Sequence, residues 1–290
     1  VCIHNRRYDR EGFCRQGIKD KRYQQNQTVK DKNMVKGLYT AHTGMVNEMK
    51  RMDVLANNLA NSDTYGFKKE GTTSHSFKNE LAIKIKDTSN FGLHKNLGRM
   101  TYGVHLGETY TDWDEGSFKV TDNPTDLAIG GKGFFAVAFT DKSGQTSVKY
   151  TRDGNFTLNG AGEPVTQDGD RVLGTNGQPV KIDPLKDTQI NVQGQVIQDG
   201  RVVATIQVTD FEDYNYLQRY GENYFEPIDG ATEKDATAKV YAGYLETSNI
   251  SVVTEMVNMI TVSRAYETNQ KVITTYDGTL DIAANQLGKV

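Results

Sequence analysis

The sequence predicts an α+β protein, with long N- and C-terminal helices forming a coiled-coil layer and a central antiparallel β domain between them. Three observations predict it. Apolar residues recur at intervals of seven from Leu38 to Leu59, they recur at the same interval from Val252 to Leu287, and the chain between reads as short strands broken by Asp-Gly and Asn-Gly turns.

Residues 1–33 stand apart. They carry nine Lys or Arg against four Asp or Glu, hold both cysteines, Cys2 and Cys14, and show little apolar periodicity. They are expected to be an N-terminal extension, either disordered or lying upstream of a natural start at Met34. The body from Met34 onward has no cysteine and therefore no disulfide or thiol chemistry of its own.

The first helix is expected over residues 34–62. Leu38, Met45, Met52 and Leu59 form its stripe, Ala41, Met49, Leu55 and Ala56 flank it, and Asn61-Ser62-Asp63 followed by Gly66 ends it. Residues 63–100 read as a connecting arm or loop, polar and glycine-containing from Asp87 to Gly98, with Leu81–Ile85 as a candidate short strand.

Residues 101–240 read as the β domain. Gly133–Phe139 is a continuous apolar run that suits a buried strand. Tyr150–Leu158 is a strand leading into Asn159-Gly160, a two-residue hairpin signal, and Asp168-Gly169, Asn176-Gly177 and Asp199-Gly200 punctuate further strands. Residues 241–290 close the chain as the second helix. Val252, Met259, Tyr266, Ile273, Leu280 and Leu287 recur by sevens, with Val262, Tyr276 and Ala283 three positions further on. Two of those further positions are polar, Glu255 and Asn269, and Gly278 weakens the last third, so the pattern departs from a plain two-stranded zipper. Such a helix is ~54 Å long at 1.5 Å per residue, and in isolation it is marginal, so it needs a partner helix, neighbouring copies, or both.

Composition narrows the function classes. The net charge of -3 and pI near 6.0 give no electrostatic footprint for nucleic acid. Mean hydropathy is -0.62, and no apolar run reaches the length of a membrane span. No apolar h-region of a secretory signal is visible. The histidines, His4, His42, His75, His94 and His105, are not spaced as metal ligands in sequence. Gly130-Gly131-Lys132-Gly133 leads into a strand and lacks a phosphate-loop ending, and no nucleophile elbow is present. No catalytic, metal or cofactor site is expected.

Three motifs carry a resemblance. Leu38-Tyr39-Thr40-Ala41, Leu55-Ala56-Asn57-Asn58-Leu59-Ala60-Asn61 and Thr64-Tyr65-Gly66-Phe67-Lys68 resemble the N-terminal signature of flagellar rod and hook proteins. Gly243-Tyr244-Leu245-Glu246-Thr247-Ser248-Asn249 and Arg264-Ala265-Tyr266-Glu267 resemble the C-terminal signature of the same family. Between them, Asp126-Leu127-Ala128-Ile129 and Tyr150-Thr151-Arg152-Asp153-Gly154-Asn155-Phe156 are similar to the β domain of its rod members. The resemblance implies a structural subunit of the flagellar basal body, with no enzymatic activity. It implies export, without a cleaved signal, through the flagellar type III apparatus, and stacking into a helical tube. Its partners would be further copies, other rod and hook subunits and, as a further candidate, envelope ring proteins. Length points to a rod subunit over the longer hook protein, and the C-terminal signature points to the distal rod, with the proximal rod as the alternative. Candidate assembly residues are Leu38, Met45, Met52, Leu55, Leu59, Asn57, Asn58 and Asn61 on the first helix. On the second they are Val252, Met259, Val262, Tyr266, Ile273, Tyr276, Leu280 and Leu287. A secreted β-domain adhesin and an extracellular hydrolase are the competing readings from other classes.

Overall fold

A computed structural model describes residues 36–83, 96–141, 144–221 and 223–285, with the side chains of 80–83 and 96–98 left aside. The extension 1–33, both cysteines, Met34, His4, His94 and Leu287 lie outside the described residues. The described α-helices are α1, Lys36–Ala60, and α2, Val252–Asn285, with the antiparallel strands between them in the chain. No described helix is long and apolar enough to cross a membrane. The chain divides into two compact units.

Among the described residues the first unit gathers 36–53, 72–83, 96–108 and 260–285. The stretch expected as an arm or loop contains strands. Glu70–Ser76 pairs with Val104–Thr111, and Glu80–Ile83 pairs antiparallel with Asn96–Met100. Threonine and serine on the first strand suit an extended, half-solvated ribbon, which lacks the apolar alternation that would announce it. One face of α1 is tied to this ribbon by polar groups at helical spacing. Lys36 Nζ donates to the Tyr102 hydroxyl at 3.0 Å, Thr40 Oγ1 donates to the Tyr102 carbonyl at 3.3 Å, and Asn47 Nδ2 donates to Ser74 Oγ at 3.2 Å.

The second unit gathers Val54–Gly71 and Thr109–Met259. Its largest sheet has nine strands built around Phe134–Thr140, which pairs with Thr146–Thr151, Arg171–Val172 and Val208–Phe211. That strand is buried on both faces: Phe135 and Val137 enter one apolar cluster with Leu127, Ile129, Phe156 and Val196, while Phe134 and Ala136 enter a second with Tyr150, Phe211 and Phe225. Double burial is the reason its sequence is an unbroken apolar run instead of an alternating one.

The turns differ in one informative way. Asp199 and Gly200 both have positive φ, 51° and 73°, as a two-residue hairpin turn requires. Asn159-Gly160 is not such a turn. Thr157–Leu158 pairs with Pro164–Val165 through a longer loop in which Asn159 Oδ1 accepts from the Ala161 and Glu163 amides, both at 2.9 Å, and the left-handed residue is Gly162 at φ 77°. The side-chain oxygen of Asn159 replaces the backbone geometry that a tight turn would supply.

Candidate functional site: helix faces and a buried junction

The expected strand Tyr150–Leu158 breaks after Thr151, and the break is where the three sequence motifs meet. Glu246, fully buried in the closing motif, accepts on Oε1 from Lys68 Nζ at 2.6 Å and from the Gly116 amide at 3.1 Å, and on Oε2 from Arg152 Nη1 at 3.2 Å. Lys68 Nζ also donates to the Asp114 carbonyl at 2.7 Å, and Arg152 Nη2 to the Gly131 carbonyl at 2.8 Å. Burial pulls the Lys68 ammonium below its ordinary value, and the Glu246 carboxylate opposes that shift. Gly66, at φ 68°, donates its amide to the Glu246 carbonyl at 2.8 Å, and a Cβ there would run into the Arg152 backbone. Only glycine fits that approach.

Adjacent residues extend the junction. Asn58 is fully buried and pairs like a short strand with Glu70, donating Nδ2 to its carbonyl at 2.8 Å and accepting its amide on Oδ1 at 3.0 Å. Lys69 forms an ion pair with buried Glu255 at 2.6 Å, and its amide donates to Asn249 Oδ1 at 2.8 Å. Asn249 Nδ2 in turn donates to the Asp112 and Asp114 carbonyls at 3.0 and 3.2 Å. Most polar groups of these residues are spent inside the subunit, Arg152 Nε and Glu255 Oε2 being buried without a hydrogen-bond partner among the described residues, so what they do chemically is hold the motifs together.

Asp153, at the same break, is raised to about 6. Burial is the main cause, the Asn155 amide and Asn223 side chain hold it down, and the carboxylates of Asp126 and Asp168 push it up. It lies beside a cleft that also includes Asp168, Tyr220 and Tyr224.

Within the first unit the two helices approach antiparallel through small residues. A Cβ on Gly37 would run into the Tyr276 hydroxyl, and one on Gly44 would lie 3.0 Å from Asn269 Nδ2. Positions 37 and 44 and positions 269 and 276 are both seven apart, so a single face of each helix makes the seam. The polar residue Asn269 is therefore not a flaw in the heptad; it fills the room left by a glycine.

The candidate assembly residues fall into three groups. Asn58 and Val262, expected at an assembly surface, are buried within the subunit, Asn58 against Glu70 at the junction. Leu38, Met45, Met52, Leu55, Leu59, Asn61, Met259, Tyr266 and Ile273 are half-buried. Asn57, Val252, Tyr276 and Leu280 are exposed, and Asn57 accepts from Asn61 Nδ2 on Oδ1 at 2.7 Å. Sequence reasoning missed a further set. Val253, Met256, Val257, Ile260 and Ile282 on α2 are each about half or more exposed, at 74%, 48%, 56%, 54% and 50%. The opening turns of α2 carry apolar residues over a broad arc that faces away from Thr254, Glu255 and Asn258, and that was the available signal. Among the described residues no three His, Cys, Asp or Glu side chains come together as a metal site.

Comparison with known proteins agrees with these motifs. Residues 38–68 match the family described as flagella basal body rod protein, residues 128–204 match the flagellar hook protein FlgE/F/G D1 domain, and residues 241–287 match the flagellar basal body rod FlgEFG protein C-terminal family. Lys68, Arg152 and Glu246 supply one junction residue from each matched segment. The flagellar hook-basal body complex protein FlhO of Bacillus subtilis is 32% identical, covering 89% of this chain and 100% of the relative. The flagellar basal-body rod proteins FlgG of Bacillus subtilis and of Caulobacter vibrioides are each 32% identical, each covering 87% of this chain and 99% of the relative. By these likenesses the chain belongs to the flagellar basal-body rod protein family.

Proposed function

We propose that this chain is a structural subunit of the flagellar rod that polymerises through its helices into a helical tube, with the distal rod as its place. The observation that carries the reading is the uncovered apolar surface of α2, from Val253 to Ile282. A solitary soluble protein has no use for six large apolar side chains, Leu280 among them, left open along one helix.

Magnitudes favour many contacts over one. Half-burial of six such side chains gives on the order of 5–8 kcal/mol, while bringing two copies together costs ~4–15 kcal/mol. A single pairwise contact is then weak, whereas a filament in which each copy touches several neighbours is favoured. Different faces of one helix on successive copies make a heterologous contact, which propagates when its rotation does not close. The likeness of Gly243–Asn249 and Arg264–Glu267 to distal-rod signatures supports the distal position. Export of the unassembled chain by the type III apparatus, contacts with other rod and hook subunits and with envelope rings, torque transmission, and a central export channel belong to the same proposal. Electron microscopy of concentrated protein tests it: fibres or ordered oligomers are expected, and a strictly monomeric solution would count against it.

A further inference from the structure

The histidines that are scattered in sequence include two that the ribbon brings together. His75 on Glu70–Ser76 and His105 on Val104–Thr111 have ring centroids 6.3 Å apart with planes tilted by 40°, and both side chains are exposed. Each ring is backed by a specific neighbour. Phe77 stacks on His105 at 5.0 Å and 28°, and His75 lies over Gly107, where a Cβ would run into its ring.

We propose that His75 and His105 form a two-imidazole chelate for a divalent cation of the zinc, nickel or copper class. Those ions favour imidazole nitrogen over carboxylate-only sites. With a metal–nitrogen bond of ~2.0–2.1 Å the ring centroid sits ~3 Å from the ion, so two rings on one ion span at most ~6 Å and ~5 Å at a tetrahedral angle. The observed 6.3 Å lies just beyond that range. Closing it needs a movement of about an ångström, which side-chain rotation supplies at exposed positions. With centroids 6.3 Å apart the two rings already lie on one side of the ribbon, which lowers the ordering cost of binding. Two ligand positions remain for water on a tetrahedral ion. This site is independent of the assembly reading.

The test is isothermal titration of the full chain with zinc chloride, in a Cys2→Ser, Cys14→Ser background that removes competing thiols. One saturable equivalent is expected. His75→Ala and His105→Ala should each weaken it by at least about tenfold, since even outer-sphere partners cost ~10–100-fold. His42→Ala should leave it unchanged, and Gly107→Ala, which displaces the His75 ring, should weaken it too. Far-ultraviolet circular dichroism checks that the variants fold. Absence of a saturable equivalent, or binding that survives the His75→Ala, His105→Ala double variant, would overturn the proposal.

Discussion

Gly44 meets Asn269 where α1 and α2 run past each other, with room for a Cβ only 3.0 Å from the amide nitrogen. That contact sets an expectation for size. Gly44→Ala gains up to ~1 kcal/mol of helix propensity against a modest shift of Asn269, so its effect on the thermal midpoint should be small. Gly37→Leu and Gly44→Leu overfill the seam and should each cost about 1–3 kcal/mol, read as loss of helical circular dichroism at lower temperature than the parent.

The buried junction predicts an asymmetry. Glu246→Gln removes the one carboxylate shared by Lys68 and Arg152 and leaves two cations in a dry site, a loss expected at ~3–5 kcal/mol. Lys68→Met leaves Glu246 still paired with Arg152 and the Gly116 amide, and should cost less. Urea unfolding of both variants measures the difference, and equal costs would mean that the carboxylate is not the hub.

Asp153 predicts a pH dependence with a definite sign. Its folded value of about 6 lies above the ordinary carboxylate value. The folded chain therefore holds a proton that the unfolded chain releases between about pH 4 and 6. The penalty, on the order of 3 kcal/mol, is fully present above pH 6 and disappears as pH falls below 4. Asp153→Asn should raise stability at pH 7 and flatten this part of the profile, measured as unfolding midpoints from pH 4 to 7.

The loop after Leu158 separates two readings of one turn. Gly162 has φ 77° and a Cβ there would run into the Ile182 carbonyl, whereas a Cβ on Gly160 meets nothing within 4 Å. Gly162→Ala should cost more than 1 kcal/mol, and Gly160→Ala should be close to neutral. Calorimetry on the two variants decides it.

What the sequence shows and what it hides follow from the range of the interactions. The helices are legible because a seven-residue period is local, and the strand Phe134–Thr140 is legible because double burial removes alternation. The polar interruptions Glu255 and Asn269 are visible as interruptions, but their partners, Lys69 and Gly44, lie far away in the chain. Lys68 and Glu246 are 178 residues apart and Arg152 and Glu246 are 94 apart; no local pattern links them, although each sits inside a recognisable motif. The exposed set from Val253 to Ile260 escaped because a heptad count rewards one residue in seven and is blind to the rest of a broad apolar arc.

The central claim is that the open apolar surface of α2 joins copies of the chain. Sedimentation velocity on an Ile260→Glu, Leu280→Glu variant beside the parent tests it most directly. Both side chains are exposed in the subunit, so the substitutions should leave thermal stability within about 0.5 kcal/mol per site. Parent protein sedimenting as large, concentration-dependent species and the variant as a folded monomer is the predicted result. A variant that assembles to the same size distribution as the parent would contradict the account.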